Sequence, residues 1–334
     1  MVKLGMVNVL FLSANDIEKV IDMKKVIELV EIAFREKGLK KVQMPPKSYL
    51  FFKKYNGDLR TMPAYLETLD VAAVKIVNSH PMNPQIHGLP TVMAVILLVD
   101  PSSGKPLSIM DGTVITRYRT GAAAAIATKY LWGLKEASVG LIGAGMVSSY
   151  SVEGLRYVVS ISSVKIYDIV NEKAKNLAQS LREGLGLDAK AVESPHEAVK
   201  EANVIVTATP SRSPIVKNEW IEEGVHINAM GADAPGKQEL DPRILKRAKI
   251  VVDDYEQAIH SGEINVPISM GILEPSEIYA ELGEIVAGLK KGRESEKEIT
   301  VFTSTGLAIQ DAITAWYVYS EAVKKGIGIT LKFF

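Results

Sequence analysis

The spacing of hydrophobic positions changes character near residue 137 of the chain. Upstream of that point, "ANDIEKVIDMKKVIELVEIAFREKG" repeats apolar residues at the interval of an amphipathic helix. Ser13 precedes it and Gly38 supplies a stop, so one or two helices are predicted. "SYLFFKKYNGDLRTMPAYL" has a strand–turn–strand pattern with Asn56-Gly57 as the hairpin turn. "VAAVKIVNSH" and "PTVMAVILLVD" read as further strands, the second ending at "DPSSGKP". "TRYRTGAAAAIATKYL" reads as a helix whose small residues predict close packing. The opening "MVKLGMVNVLFLSANDIEKV" reads as a first strand and a helix start rather than a signal peptide. Asn8 and Asp16 interrupt its apolar patch and no small-residue cleavage site follows.

From about residue 137, strand and helix alternate through "ASVGLIGAG", "VSSYSVEGLRYV", "SVKIYDIV", "NEKAKNLAQSLREGL", "AVES", "SPHEAVKEA" and "NVIVTATP". "VHINAMG" and "AKIVVDD" are later strands, and "GLAIQDAITAWYVYSEAVKKG" is a closing helix. That order implies parallel pairing with right-handed crossovers, and so an α/β chain. A mixed first part leads into a doubly wound domain, with the terminal helix returning to the first part.

A length of 334 residues suits two domains, and 47% hydrophobic with 23% charged residues is ordinary for a globular protein. Lys+Arg and Asp+Glu balance at 39 each, which argues against nucleic acid or a polybasic membrane contact and for a small-molecule partner. The absence of cysteine removes disulfides, thiolate catalysis and Cys-ligated metal, and fits an intracellular protein. No stretch approaches the roughly 18 uninterrupted apolar residues of a membrane span. A cytoplasmic location is expected.

Candidate chemistry starts at "GLIGAGMVSS". Gly143 can make the tight strand-to-helix turn and Gly145 the close backbone approach to a pyrophosphate, with Met146 and Val147 at the helix start. Ser148 stands where a third glycine is usual. Asp168 ends the next strand at about the distance where an acidic residue takes the adenosine ribose hydroxyls, and its charge favours NAD over NADP. The alternative is a tight turn with an incidental aspartate. Thr207, at the end of "NVIVTATP", is a cofactor contact or a polar loop cap.

Four basic residues of the first part are candidates for anchoring a substrate: Lys47, Arg60, Lys75 and Arg119. Lys75 sits inside the apolar strand "VAAVKIVN", where an unpaired ammonium would cost several kcal/mol, so it needs an anionic partner unless it faces solvent on an edge strand. Arg119 in "RYRTGAA" is a carboxylate or phosphate clamp at a helix start, or a surface ion pair. Asp233 in "INAMGADAPGKQEL" suits proton transfer near a nicotinamide, or caps a turn. His80, His87, His196, His226 and His260 lack metal-ligand spacing, and no metal is assigned.

The stretches "KVQMPPKSYL", "GDLRTMPAYL", "KIVNSHPMN", "GLPTVMAVILLVDPSSGKPLSIMDG", "RTGAAAAIATKYL", "LIGAGM", "INAMGADAPGKQEL" and "STGLAIQDA", in this order, resemble the ornithine cyclodeaminase/mu-crystallin family over essentially the whole chain. The resemblance is greatest to its archaeal alanine dehydrogenase branch and imine-reductase relatives. It implies a homodimer in which a Rossmann NAD(P)-binding domain (122–306) is inserted into an α+β substrate-binding and dimerisation domain (1–121 with 307–334). The cofactor implied is NAD(H), with NADP(H) as the alternative. Lys75 in "KIVN" and Asp233 in "GADAPGK" match the family's catalytic pair, and Arg119 in "RTGA" matches a carboxylate and cofactor contact. Lys47 falls where many members have a substrate-binding arginine. Thr91, Met146, Asp168, Thr207, Lys237 and Ser304 match cofactor-lining positions, and Ala208 and Met230 are assigned to the same site.

One departure bears on the reaction. Cyclodeaminases carry a glutamate two residues before the "MP" of the hairpin, able to hold an amino group, whereas this chain has Arg60. A guanidinium there repels a terminal ammonium and attracts a carboxylate, unless it simply faces solvent. The expected activity is therefore NAD(P)H-dependent reduction of a C=N bond beside a carboxylate: Δ1-pyrroline-2-carboxylate to L-proline. Alanine dehydrogenase acting on pyruvate and ammonia is the alternative, and ornithine cyclodeamination comes third. A non-enzymatic small-ligand binder is the reading from another class, against which Lys75, Arg119 and Asp233 together argue.

Overall fold

A computed structural model describes residues 7–332, so the first residues of the predicted N-terminal strand lie outside the described range. The chain divides into two compact units, one formed by 1–119 with 307–334 and the other by 120–306. No helix among the described residues is long and apolar enough to cross a membrane.

The first unit is built on strands β1 (Asn8–Leu12), β2 (Val42–Gln43), β3 (Ser48–Phe52), β4 (Gly57–Leu66), β5 (Val71–Ser79), β6 (Val92–Val99) and β7 (Pro106–Asp111). The last strand of the chain, Ile329–Lys332, adds antiparallel to β1, and the sheet runs from it through β1, β7, β6, β5 and β4 to β2, with β3 also on β4. Strict alternation gives this sheet one covered face. Met62, Ala64 and Leu66 of β4, Val71 and Ala73 of β5, and Ala94, Ile96 and Leu98 of β6 are all buried. The closing helix Ala308–Lys325 packs on β4, β5 and the helix Met23–Gly38, burying Ile309, Ala312, Ile313 and Ala315. Gly326 ends that helix in the left-handed conformation that glycine adopts without penalty.

Two local expectations need correction. The hairpin between β3 and β4 is not a two-residue Asn56-Gly57 turn: Phe52 pairs with Gly57, and a 3₁₀ turn at Lys53–Tyr55 plus Asn56 connect them. Asn56 takes the left-handed position (φ +48°), which asparagine tolerates better than most residues. The strand predicted at "AVES" lies instead at Ala189–Ala191, because Ser194 is withdrawn to cap the next helix by accepting from the Glu197 amide.

The second unit continues the count with β8 (Glu136–Ile142), β9 (Ser160–Tyr167), β10 (Ala189–Ala191), β11 (Val204–Thr207), β12 (His226–Ala229), β13 (Lys249–Val252), β14 (Ile278–Glu281) and β15 (Thr300–Thr303). Every pairing among them is parallel, in the order β10-β9-β8-β11-β12-β15-β13-β14. The chain moves outward from β8 through β9 and β10, then resumes on the other side of β8 at β11. Strand order therefore reverses at β8, and the glycine-rich loop leaves that strand, which is where doubly wound sheets bind ligands. β15 lies between β12 and β13, buried throughout.

Candidate active site

In the first unit, the register of β5 puts Lys75 on the covered face, opposite Met62 of β4 and Ile96 of β6. It is 2% exposed, which removes the solvent-facing alternative. Its partner is Asp311 of the closing helix, with Nζ 2.6 Å from Oδ2. The other oxygen, Oδ1, accepts from Nε of Arg119 at 3.0 Å, and Nη1 of Arg119 donates to Gln310 at 3.2 Å. Arg119 is not at a helix start, as expected from sequence, but well inside the helix Gly112–Leu131, and it is buried. Burial pushes the Lys75 ammonium down to about 7; the Asp311 carboxylate opposes that shift, and the Arg119 and Lys47 charges reinforce it. Two cations thus converge on one carboxylate.

Arg60 is also buried, paired with its own strand neighbour Asp58 through Nε (3.0 Å) and Nη2 (2.9 Å), and it stacks over the Tyr49 ring at 5.4 Å. It does not face solvent. Lys47 lies half-buried in the segment before β3, and Thr91, also half-buried, precedes β6, its carbonyl accepting from the His80 amide.

In the second unit, Gly143 has φ +98°, and a Cβ there would lie 2.7 Å from the Ala208 carbonyl oxygen, so the turn is closed to other residues. At Gly145 a Cβ would meet nothing within 4 Å. Gly145 caps the helix Met146–Leu155 with no side-chain hydrogen bond, and Met146 is 44% exposed, with Val147 half-buried behind it. Backbone N–H groups at a helix start beside open space fit a dinucleotide pyrophosphate. Ser148 is buried and donates to the Gly143 carbonyl at 2.6 Å, so the residue in place of the third glycine braces the loop. Asp168 follows β9 and accepts from the Ala144 amide at 2.8 Å and the Val170 amide at 2.9 Å, leaving acceptor capacity on both oxygens for a ribose.

Further along the same edge, Thr207 is fully buried and donates its hydroxyl hydrogen to Glu239 (2.8 Å). Ala208 is half-buried beside it, and the Met230 amide donates to the Thr207 carbonyl. Asp233 forms an ion pair with Lys237 four residues on. Ser304 is buried and donates to Asp253 (3.2 Å), which also accepts from the amides of Thr305 (2.6 Å) and Gly306 (2.7 Å).

Two buried carboxylates beside these candidates are not singled out by the sequence. Asp311 supplies the carboxylate that Lys75 demands; the signal was a polar Gln310-Asp311 step within the buried stripe of an otherwise apolar helix. Glu239, fully buried, carried no local signal beyond its place in "GKQEL".

Comparison with known proteins places this geometry in context. The chain is 52% identical over 325 residues to the alanine dehydrogenase of Archaeoglobus fulgidus, covering 97% of this chain and 98% of that protein. An archaeal alanine dehydrogenase dimer with bound NAD superposes with a TM-score of 0.93 at 51% identity, over 98% of this chain and all of the other. Thermococcus litoralis Δ1-pyrroline-2-carboxylate reductase, in complex with NADH and L-proline, gives a TM-score of 0.93 at 43% identity, over 97% and 100%. These relatives are NAD-dependent dehydrogenases and reductases of amino or imino acids. The family model matches residues 7–326, and the chain belongs to the ornithine cyclodeaminase/mu-crystallin family.

Proposed function

We propose that this protein is an NADH-dependent reductase of 2-imino carboxylates, converting Δ1-pyrroline-2-carboxylate to L-proline. The observation that carries the reading is the buried Lys75–Asp311–Arg119 cluster. With Lys75 protonated it holds one surplus positive charge out of water, which favours a substrate bearing a single carboxylate. Arg119 has five N–H donors and spends two on Asp311 and Gln310, so it retains donors for that carboxylate. Arg60, aligned on Asp58, is a second anchor, and Lys47 adds positive charge.

The glycine loop and Asp168 would hold NADH by its pyrophosphate and ribose, and the chemistry it would supply is a hydride for the imine carbon. Lys75, poised at about 7, gives its proton to the imine nitrogen and recovers one from solvent, which completes reduction of the C=N bond to an amine. Asp233 stabilises the cationic iminium that accepts hydride best.

A second reading, reductive amination of pyruvate to L-alanine, is favoured by the higher identity to an alanine dehydrogenase (51% against 43%). The preformed cyclic imine requires only a hydride and one proton; pyruvate requires ammonia addition and loss of water first. NADH oxidation by the purified protein separates them. Turnover of Δ1-pyrroline-2-carboxylate with the larger kcat/KM is expected. A far larger value for pyruvate with ammonium would reverse the order, and no turnover of either would leave a small-ligand binder. A homodimer is part of the proposal. The uncovered sheet face of the first unit exposes Ile76 (42%) and Val95 (47%), which a second copy would cover.

A further inference from the structure

Beside the Asp233 loop, the second unit buries two carboxylates close enough for the charge of one to act on the other. Glu239 and Glu263 are both essentially inaccessible to solvent. The hydrogen-bond pattern tells them apart. Each oxygen of Glu239 receives a backbone N–H: Oε1 from Thr209 at 2.6 Å, and Oε2 from Gly231 at 3.0 Å, with the Thr207 hydroxyl also on Oε2 at 2.8 Å. A proton on either oxygen would weaken an N–H bond made to that oxygen. In Glu263 the burden falls on Oε1, which accepts from Leu240 at 2.6 Å and Glu239 at 2.8 Å, while Oε2 has only the longer 3.1 Å branch from the Glu239 amide. Oε2 of Glu263, which holds only the longer branch of an N–H already bonded to Oε1, is therefore the oxygen where a proton disturbs least, whereas each oxygen of Glu239 is the acceptor of an N–H of its own.

The groups that Glu239 gathers come from the ends of adjacent strands. Thr207 ends β11 and Thr209 lies in the loop just beyond it; Gly231 follows β12 and opens the loop that carries Asp233 and Lys237. The approach is close enough that a Cβ on Gly231 would lie 2.6 Å from Glu239 Oε2 and 2.4 Å from the Thr209 carbonyl oxygen. Glu263, in turn, holds the Glu239 and Leu240 amides, fixing the strut from behind.

We propose that Glu239, as an ionised carboxylate, is a positioning residue that locks the Asp233 loop to the end of β11, and that Glu263 carries the one proton of the pair. The positioning role rests on the reading above that Asp233 acts on the substrate; the lock itself does not. Burial raises both carboxyl groups, and the Glu239 charge raises Glu263 further, which agrees with the proton residing there.

The two isosteric variants should therefore behave differently. Glu263→Gln replaces a neutral acid by a neutral amide and should leave kcat, and amide exchange across 207–238, within about twofold of the parent. Glu239→Gln must aim an NH2 group at a backbone N–H, whichever way it turns. Exchange at the Thr209 and Gly231 amides should rise about tenfold or more, and kcat should fall about tenfold with the imine KM little changed. In an Asp233→Ala background, Glu239→Gln should produce no further fall in kcat, because it acts through a group already removed.

Hydrogen exchange decides the lock without reference to turnover. Unchanged exchange in Glu239→Gln, or equal damage from Glu263→Gln, overturns the proposal. Additive losses of kcat in the double variant overturn the positioning role. Full activity of Asp233→Ala sinks the functional reading of Asp233 alone, and the exchange data still judge the lock. Should Glu239→Gln not fold, Thr207→Val removes one donor and leaves the two amides; faster exchange at Gly231 is then expected, and none overturns the lock.

Discussion

Replacing Lys75 with methionine should change how the stability of the protein depends on pH. In the folded chain the ammonium is held at about 7, against 10.5 for a lysine in water. Below pH 7 both folded and unfolded chains carry the proton, and the penalty of burying it is felt in full. Between the two values the folded chain has released its proton while the unfolded chain keeps it, so stability rises with pH. Above 10.5 neither carries it and the rise ends. The gap of about 3.5 pH units corresponds to about 5 kcal/mol, accrued at about 1.4 kcal/mol per pH unit.

Methionine fills a similar volume without a charge, and Asp311 keeps Arg119 at 3.0 Å, so the substitution does not strand a buried carboxylate. Denaturant unfolding of the parent and of Lys75→Met between pH 6.5 and 9.5 isolates the effect, since other titrating groups cancel in the difference. The parent should gain on the variant by about 3 kcal/mol between pH 7.5 and 9.5. Parallel curves would refute the reasoning: they would mean that Lys75 holds its proton throughout, and proton donation near neutral pH would fall with it.

Ser148→Ala removes the brace on the Gly143 carbonyl and should cost about 1–3 kcal/mol of stability, with weaker NADH binding by fluorescence titration; unchanged affinity would mean that the loop keeps its shape unaided. Asp168→Asn removes the charge that repels a 2′-phosphate but cannot accept both the Ala144 and Val170 amides. NADH affinity should fall while the NADPH:NADH ratio of kcat/KM rises. Arg60→Gln should raise KM for the imino acid about 10–100-fold with kcat largely retained, the loss of one charge-assisted anchor. An unchanged KM would remove Arg60 from the site.

The doubly wound half of the chain was legible because its signals are local: an apolar strand, a glycine turn, a helix, and an acidic residue at the next strand's end. β15 was not, although it lies in the interior of the sheet. Four residues buried on both faces give no alternation, and "TVFT" between polar segments cannot be told from a loop by spacing. The hairpin failed for a related reason, since Asn-Gly is a strong turn signal but says nothing about whether the turn begins there or ends there. The buried serine at position 148 shows the converse: a mismatch to a motif that becomes an asset once its hydroxyl has a partner.

The substrate side turned on one anomaly, a lysine within an apolar strand, and the requirement that it find an anion. That requirement was sound, and its answer lay more than 200 residues away on a helix whose apolar stripe is broken by Gln310 and Asp311. Asp233, which the motifs do single out, has its own cation in Lys237. The charge arithmetic of the first unit then constrains the chemistry more tightly than any single residue. Arg60 pairs with Asp58, while Asp311 faces both Lys75 and Arg119, with Lys47 adding to the field. A diamine brings a second ammonium into that surplus and would raise its cost, whereas a 2-imino carboxylate brings the missing negative charge. Burial lowers Lys75 in the absence of substrate, with the Arg119 and Lys47 charges adding to it, and a bound carboxylate would oppose them as Asp311 does, so binding should raise the lysine's proton affinity at the moment a proton is needed. KM for the imino acid should therefore rise as pH passes upward through about 7, when the lysine charge is lost, and Lys75→Met should flatten that limb. A KM that stays level from pH 6 to 9 in the parent would show that the carboxylate is held without the lysine, leaving Arg119 and Arg60 to anchor it.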